Sequence, residues 1–322
     1  MTTRREPPKW THIEPSHRRR NVHIPDTFRE RVNLHLFKNL SLPDIMVSAP
    51  LILGIQGPQG DGKSFQARET CLAFGVNVAV ISGASLGGPH EGAPVEILTR
   101  IYRYASEQTE LSQTPTILLI DDFDLSVAAS YEHRETTVNT QLLTGFLMNL
   151  ADNPRQCAGS ETSRIPIIMT GNNFTALHGP LMREGRMDLY DWEPSVDEKV
   201  DVISAFLAPW MAADELPNLK TLVKRYERKP IAFFAALQND YINALISDAA
   251  KVPLSRLTAR DTEHVQANIN LKMKERTLTV ERLIALADAR DVTRPTNYLT
   301  MAEADPVDLA PPVLPTFEQD QP

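Results

Sequence analysis

Short apolar runs alternate with helical segments over the first 194 residues of the chain. The apolar runs have the length of strands and lie at residues 51–55, 76–81, 116–120 and 165–170. They are apolar at almost every position, which predicts strands that are covered on both faces. Helical periodicity occupies the segments between them, at residues 64–74, 95–106 and 138–151. This alternation predicts an α/β fold, in which helices cover both faces of a mostly parallel sheet.

The β pattern stops at Pro194 and a helical pattern replaces it. Helical segments follow at residues 196–207, 219–226 and 231–250, with a further candidate at residues 263–289. We therefore divide the chain into five regions. They are a flexible basic N-terminal arm (1–32), the α/β domain (33–194), a smaller all-α domain (195–255), an additional helical segment (256–300) and a disordered, acidic, proline-rich tail (301–322).

The composition is that of a globular chain, and its net charge disfavours nucleic acid as a partner. Of 322 residues, 42% are hydrophobic and 23% are charged, which excludes disorder of the whole chain. The net charge of −8 disfavours a protein that coats nucleic acid, because phosphate neutralisation requires Lys and Arg. Two cysteines cannot build a disulfide framework. We see no signal-like leader and no apolar run long enough to span a bilayer. We therefore expect a cytoplasmic protein that does not associate with a membrane.

A phosphate-binding loop stands between the first apolar strand and the first helix of the α/β domain. It consists of Gly57, Pro58, Gln59, Gly60, Asp61, Gly62, Lys63 and Ser64, the pattern G-x-x-x-x-G-K-S. Its glycines let backbone N–H groups turn toward an anion at a helix N-terminus. Lys63 is expected to reach the β and γ phosphates, and Ser64 to offer a hydroxyl to Mg²⁺. The loop predicts binding of ATP with Mg²⁺.

Two other strands end in polar residues that suit ATP chemistry. Residues 116–120 lead into Asp121, a candidate Mg²⁺ ligand through water, and Asp122, which can polarise an attacking water. The alternative for these acids is a loop that caps the next helix. Residues 165–170 lead into Asn172, whose amide can orient that water. Asn-rich turns also occur for conformational reasons alone, so this second reading stays open.

Two arginines, Arg183 and Arg186, straddle a glycine before the last strand of the α/β domain. Guanidinium groups stay ionised and bind phosphoryl oxygens in pairs, so these arginines suit the charge of a leaving γ-phosphoryl group. At a subunit edge they would complete the site of a neighbouring copy. The alternative is that they are solvated or form salt bridges within the chain.

The order of these motifs, followed by a helical lid, resembles AAA+ ATPases, and more specifically the Rubisco activase family. The resemblance covers about residues 33–250 and rests on LILGIQGPQGDGKSFQ, TTVNTQLLTGFLMNLADNP, RIPIIMTGNNF and PLMREGRMDLYDWEP. It implies an ATP hydrolase that forms a ring, typically a hexamer, and remodels an inhibited enzyme so that trapped sugar phosphates leave. It also implies that Asp121 and Asp122 form the Walker B segment, Asn172 is sensor 1, and Arg183 and Arg186 are arginine fingers.

The sequence departs from that family in three places. No basic residue stands at residues 233–240, where the family has its sensor-2 arginines, and Arg228 or Lys229 would have to substitute. The first pore segment, residues 82–91, has no aromatic residue and offers only Leu86 and His90 to a client. In the second, residues 127–136, Tyr131 is the single aromatic residue. We also expect no counterpart of the longer N-domain of plant activases in residues 1–32, and no small-subunit-like C-terminal domain such as some cyanobacterial forms have.

Four alternatives therefore remain beside a Rubisco-directed activase. The first is an AAA+ ATPase that remodels a different protein client. A nucleic-acid motor would have the same motifs. It would also need a basic groove, which the net negative charge of the chain disfavours. A scaffold would use ATP only as a conformational ligand. A small-molecule kinase would leave the paired arginines and the helical lid unexplained.

Overall fold

A six-stranded sheet forms the centre of the α/β domain. The computed structural model describes residues 9–20, 22–42, 49–86, 90–124, 138–174, 179–250 and 253–293. The strands of the sheet are β1 (Thr11–Ile13), β2 (Ile52–Gln56), β3 (Asn77–Ser82), β4 (Thr116–Asp121), β7 (Ile167–Thr170) and β8 (Met187–Asp191). Their spatial order is β1-β3-β4-β7-β2-β8, and every pair except β1–β3 is parallel. Two short strands, β5 (Gln156–Cys157) and β6 (Ser160–Glu161), form a separate antiparallel hairpin.

Four long helices cover the two faces of this sheet. They are α1 (Asp26–Leu40), α2 (Lys63–Phe74), α3 (Ala93–Ser112) and α4 (Val138–Asp152). In β4, Ile117 and Leu119 join the core with α1 and α2, whereas Leu118 and Ile120 join the core with α3 and α4. This alternation buries both faces, as the continuous apolar runs predict. The predicted α/β fold class is confirmed.

The N-terminal part of the chain differs from our expectation of a flexible arm over residues 1–32. Strand β1 pairs with the sheet edge at β3, a 3-10 turn follows at Pro15–His17, and α1 already begins at Asp26. The ring of Trp10 lies 5.4 Å from that of Tyr104 on α3, which holds this strand against the domain. The expectation is therefore corrected for residues 9–20 and 22–32, which carry defined structure.

A second core is built mainly from helices. The helices are α5 (Val196–Leu207), α6 (Leu219–Arg225), α7 (Ile231–Ala249), α8 (Thr262–Glu275) and α9 (Val280–Thr293). Short 3-10 turns lie at Gly83–Leu86 in the α/β domain and at Leu216–Asn218, Leu254–Arg256 and Ala259–Asp261 here. No helix within the described ranges is both long and apolar enough to cross a bilayer. We call this helical unit the lid domain.

The described part of the segment at residues 256–300, which ends at residue 293, belongs to that lid domain rather than forming an appendage. Leu278, Leu283 and Ala287 are fully buried in the same core as Phe234 of α7. The expected helix over residues 263–289 is divided in two, because Arg276 adopts a φ of 51° and ends α8. The backbone N–H of Leu278 then donates to the Trp210 carbonyl at 3.0 Å, which ties the break to the lid core. The tail at residues 301–322 lies outside the described residues.

Candidate functional site

Three neighbouring strands deliver the predicted site residues to one edge of the sheet. Because β4, β7 and β2 are adjacent and parallel, their carboxyl ends lie side by side. The phosphate loop, Asp121 and Asn172 follow these three ends. Ligands of open α/β sheets bind at this edge. The fold thus brings together residues that are up to 115 positions apart in the sequence, counted from Gly57 to Asn172.

The phosphate loop makes a close turn that its glycines permit. Gly57 has a φ of 148°, and a Cβ there would lie 2.1 Å from the carbonyl oxygen of Trp192. The Trp192 indole N–H donates to the Asp61 carbonyl at 3.0 Å, so the last strand of the domain also fixes the far side of the loop. Helix α2 begins at Lys63, directly after this turn. Backbone N–H groups at that helix N-terminus favour an anion.

The ammonium of Lys63 is buried, and its hydrogen-bond acceptors among the described residues are neutral. Its Nζ donates to the carbonyls of Gly57 and Pro58, each at 2.8 Å, and to Asn172 Oδ1 at 3.3 Å. All three acceptors are neutral. Burial lowers the pKa of Lys63, and the nearby carboxylates of Asp61, Asp124, Asp122 and Asp121 oppose that shift. A buried cation in this state is stabilised by an anionic ligand.

Two hydroxyls and one carboxylate form a cluster beside this ammonium. Ser64 Oγ donates to Asp121 Oδ1 and lies 2.8 Å from Thr170 Oγ1. Thr170 Oγ1 also donates to Asp121 Oδ1, at 2.9 Å. Oxygen donors of this kind are the ligands that Mg²⁺ prefers. The cluster therefore joins the predicted metal residues Ser64 and Asp121 to a third residue, Thr170.

Asp122 stands in an unusual backbone conformation at the end of β4. Its φ of 50° is left-handed, which is uncommon for a residue with a side chain. Gly83 leaves room for this turn, because a Cβ there would lie 2.3 Å from the Asp122 carbonyl oxygen. Partial burial raises the pKa of Asp122, and the carboxylates of Asp121 and Asp124 add to the shift. A raised pKa suits a carboxylate that accepts a proton from water.

Asn172 is fixed by contacts at its backbone and side chain. Its N–H donates to Asp124 Oδ2 at 2.8 Å, and its carbonyl accepts from the Gly57 N–H at 3.3 Å. Its side-chain oxygen accepts from Lys63, as described above. Asn172 is thus in direct contact with the phosphate loop, although its side chain remains exposed.

The two predicted arginine fingers have different surroundings. Arg186 forms a bidentate salt bridge with Asp152 of α4, with N···O distances of 2.8 and 2.7 Å, and a third bond to the Pro180 carbonyl at 2.8 Å. These hydrogen bonds hold the pKa of Asp152 below its usual value. Arg186 thus forms a salt bridge within its own chain, which is one of the alternatives that the sequence left open. Arg183 is exposed, and its charge also contributes to the lowered pKa of Asp152.

The phosphate loop is also bonded to the lid domain. Asp61, which is 2% exposed, accepts from the backbone N–H of Ile231 at 2.9 Å through its side-chain carboxylate. The Gly60 carbonyl accepts from the Ala232 N–H, also at 2.9 Å. Both donors belong to the first turn of α7, whose N–H groups have no acceptor within the helix. Burial raises the pKa of Asp61, while the bond from Ile231 opposes the shift.

Sequence reasoning missed three residues that support this site. Thr170 completes the hydroxyl cluster, Asp124 holds Asn172, and Gln56 accepts from the Phe174 N–H at 2.7 Å. Gln56 also donates to Asp191 at 2.6 Å. Thr170 and Gln56 could have been found from the sequence, because each is a polar residue at the end of an otherwise apolar strand.

The family departures are only partly within the described residues. Arg228, one suggested substitute for the sensor-2 arginines, is exposed, and Lys229 Nζ lies 5.5 Å from the centre of the Phe233 ring. In the first pore segment Leu86 is buried and His90 is exposed. The second pore segment, residues 127–136 with Tyr131, lies outside the described residues.

The residues present fit a nucleotide with a divalent cation. The evidence is the buried ammonium of Lys63, which neutral acceptors hold at a helix N-terminus next to the oxygen cluster of Ser64, Thr170 and Asp121. The order of the strands, the phosphate loop after β2 and the acidic end of β4 are together typical of a P-loop ATPase domain. Residues 53–192 match the family described as "ATPase family associated with various cellular activities (AAA)".

Within that class the chain is similar to Rubisco activases. It is 35% identical over 255 residues to the ribulose bisphosphate carboxylase/oxygenase activase of Nostoc sp., a match covering 77% of this chain and 61% of that protein. It is 38% identical over 235 residues to the activase of Anabaena sp., covering 71% and 56% respectively. The chloroplastic activase of Arabidopsis thaliana is 35% identical over 223 residues, covering 67% and 46%. The chain thus matches about half to three fifths of these relatives' length.

Proposed function

We propose that this chain hydrolyses ATP with Mg²⁺ and uses the energy to remodel a protein client. The observation that carries the proposal is the buried ammonium of Lys63, which three neutral acceptors hold at the N-terminus of α2. A buried ammonium held in this way is stabilised by a bound anion. The oxygen cluster of Ser64, Thr170 and Asp121 beside it supplies metal ligands. When bound, Mg-ATP supplies the phosphoanhydride bond whose cleavage is the chemical step.

Each residue of the site has a part in this proposal. The N–H groups of residues 57–64 and the ammonium of Lys63 bind the phosphates, and Ser64 and Asp121 hold the metal. Asp122 accepts a proton or hydrogen bond from the attacking water, and its raised pKa matches that role. Asn172 orients the same water from the adjacent strand end. Its contact with Lys63 at 3.3 Å keeps it beside the phosphates.

We propose further that the chain acts as a ring, with six copies as the expected number. Arg183 supports this part, because its side chain is exposed, whereas that of Arg186 is held by Asp152. Arg186, which is bound to Asp152, then positions the Arg183 segment from within its own chain. A guanidinium that arrives from a neighbour makes hydrolysis depend on assembly.

The client that similarity favours is Rubisco, whose activases match most of this chain. Release of inhibitory sugar phosphates would be the result of remodelling. A different protein client is the alternative, since the first pore segment lacks an aromatic residue. We place the activity in the cytoplasm.

Two variants test the proposal. Lys63→Ala removes the phosphate ammonium and should abolish hydrolysis of Mg-ATP, as measured by phosphate release. Asp122→Asn should retain ATP binding but lose turnover, which traps the client. Recovery of the Rubisco large subunit with Asp122→Asn and ATP, but not with Lys63→Ala, is the expected result. Hydrolysis by Lys63→Ala at the parental rate would contradict the assignment of the loop.

A further inference from the structure

Gln56 is the last residue of β2 and stands directly before the phosphate loop. Its side-chain amide makes one hydrogen bond as an acceptor and one as a donor. The Oε1 atom accepts from the backbone N–H of Phe174 at 2.7 Å, and the Nε2 atom donates to Asp191 Oδ1 at 2.6 Å. A backbone N–H can only donate and an ionised carboxylate can only accept, so the two partners fix which way the amide faces.

The Phe174 N–H belongs to the turn that follows β7 and carries Asn172. Before Asn172, the Gly171 N–H donates to the Ile55 carbonyl of β2 at 3.1 Å. Asn172 itself is bonded to the phosphate loop through its carbonyl, as described above. After Asn172, the bond from the Phe174 N–H to Gln56 joins the turn to β2 again. The end of β2 therefore holds this turn on both sides of Asn172.

The ring of Phe174 brings the turn close enough to β2 for this bond. The ring is fully buried and lies against two glycines, Gly54 and Gly171. A Cβ would lie 3.1 Å from the ring at Gly54 and 2.4 Å from it at Gly171. Because neither residue has a side chain, the backbone of Phe174 stays within reach of the Gln56 amide.

The other end of the amide is fixed by the last strand of the α/β domain. Asp191 lies opposite Gln56 in the parallel pairing of β2 with β8. The Trp192 N–H donates to the Gln56 carbonyl at 2.7 Å, so the backbone of Gln56 is held by the same strand. Gln56 is thus fixed at its backbone and at both ends of its side chain, which is the support that a precisely placed site residue needs.

We propose that Gln56 is a positioning residue for ATP hydrolysis, and that it holds Asn172 where its amide orients the attacking water. This inference rests on the proposed function and adds to it the residue that fixes the water-orienting group. A displacement of about 1 Å in such a group can cost about 10²-fold in rate. Loss of the two bonds of Gln56 should therefore lower kcat, whereas ATP affinity, which depends on the phosphate loop, should change little.

Steady-state hydrolysis of Mg-ATP by full-length variants, followed by phosphate release, tests this role. Gln56→Leu keeps a side chain of similar size and loses both hydrogen bonds. Its kcat should fall about 10- to 100-fold, while its KM for ATP stays within about threefold of the wild type.

An exchange of the two side-chain partners separates positioning from a general loss of stability. Gln56→Glu places two carboxylates side by side and should also lower kcat. In the double variant Gln56→Glu/Asp191→Asn, the carboxylate at position 56 accepts from the Phe174 N–H and from the amide at position 191. Both bonds and the net charge of the wild type are then restored, so kcat should return to within about threefold of the wild type.

Thr109→Val is the matched control, because the Thr109 hydroxyl also joins two segments of the α/β domain. It donates to the Ala105 carbonyl at 2.9 Å and accepts from the Thr116 N–H at 2.9 Å, at the opposite end of β4 from the site. This variant should lower the thermal midpoint and leave kcat unchanged.

Three results would overturn the inference while the proposed function stands. They are a Gln56→Leu chain with the kcat of the wild type, a double variant that stays as slow as Gln56→Glu, and a Thr109→Val chain that loses as much kcat as Gln56→Leu. A wild-type chain that hydrolyses no ATP would instead refute the proposed function, and this inference with it.

Discussion

The carboxylate of Asp61 in the phosphate loop accepts a hydrogen bond from the backbone N–H of Ile231, the first residue of α7. The loop residue acts as the N-terminal cap that the lid helix lacks, since Pro230 offers no side-chain cap of its own. On the lid side, Lys199 Nζ donates to the carbonyls of Glu227 and Lys229, at 2.9 and 3.2 Å. The chain that enters α7 is thus held from both domains. We therefore expect a change in the loop on nucleotide binding to reach the lid helix through these bonds.

Removing this cap should cost stability. Asp61→Ala is expected to lower the free energy of unfolding by about 1–2 kcal/mol, the usual cost of losing an N-terminal cap. Asp61→Asn keeps an oxygen acceptor for Ile231 and is the matched control, with a smaller loss. Urea unfolding at pH 7 measures both. Equal stability of Asp61→Ala and wild type would show that the bond contributes nothing.

The same residue should give the stability a defined pH dependence. Burial raises the pKa of Asp61 in the folded chain above its value in the unfolded chain. The folded state then binds the proton more tightly, so the contribution of Asp61 is fully present below the unfolded pKa and is lost as pH rises through the folded pKa. Asp61→Asn should lack this loss when unfolding is followed from acid to neutral pH.

The buried histidine of α1 should have the opposite effect. Burial, with the nearby Arg164 guanidinium, lowers the pKa of His35 from 6.5 to about 3. Between these values only the unfolded chain is protonated, so His35 costs about 1.4 kcal/mol of stability per pH unit as the pH falls below 6.5. Urea unfolding at pH 7 and pH 5 should show this loss in wild type. It should be absent in His35→Gln and retained in His23→Gln, which alters an exposed histidine. A pH dependence that His35→Gln leaves unchanged would contradict the prediction.

The two arginines should be separable by experiment. Arg183→Ala is expected to bind ATP normally and to lose about 10³-fold or more in hydrolysis, because a guanidinium supplied by a neighbour acts on the chemical step. Arg186→Ala removes the salt bridge to Asp152 and should lower the thermal midpoint.

Mixing inactive variants tests whether the site is shared. Lys63→Ala retains Arg183, and Arg183→Ala retains an intact loop, so a mixed ring contains interfaces that hold both. Phosphate release should reappear on mixing, although each variant alone is inactive. If mixed rings form but remain inactive at every ratio, Arg183 does not act on a neighbour's site.

The sequence predicted the sheet and loop because both depend on local patterns. Continuous apolar runs correspond to β2, β3, β4 and β7, and the phosphate loop lies where the strand-to-helix change predicts it. Strand β1 was not predictable in this way, since Thr11–Ile13 is three residues long and only half-buried at the sheet edge. Its pairing with β3 is set by contacts such as that of Trp10 with Tyr104, which are distant in sequence.

The parts of the site that escaped the sequence are those held by long-range contacts. Thr170 joins Ser64 and Asp121 only after three strands align, and a threonine that ends a strand has no distinctive local pattern. The Asp61 carboxylate accepts from the Ile231 N–H across 170 residues, a separation that no local pattern of the sequence can report.

Titration calorimetry of the full chain with ATP and excess Mg²⁺ tests the central claim most directly. We predict a saturable heat with one nucleotide bound per chain. Lys63→Ala should bind about 10- to 100-fold more weakly, because it loses charge-assisted hydrogen bonds to phosphate. Lys220→Ala, which alters an exposed lysine paired with Asp197 on the lid, should bind as the wild type does. A wild-type chain that gives no heat with saturating Mg-ATP, or a Lys63→Ala chain that binds with unchanged affinity, would contradict the claim.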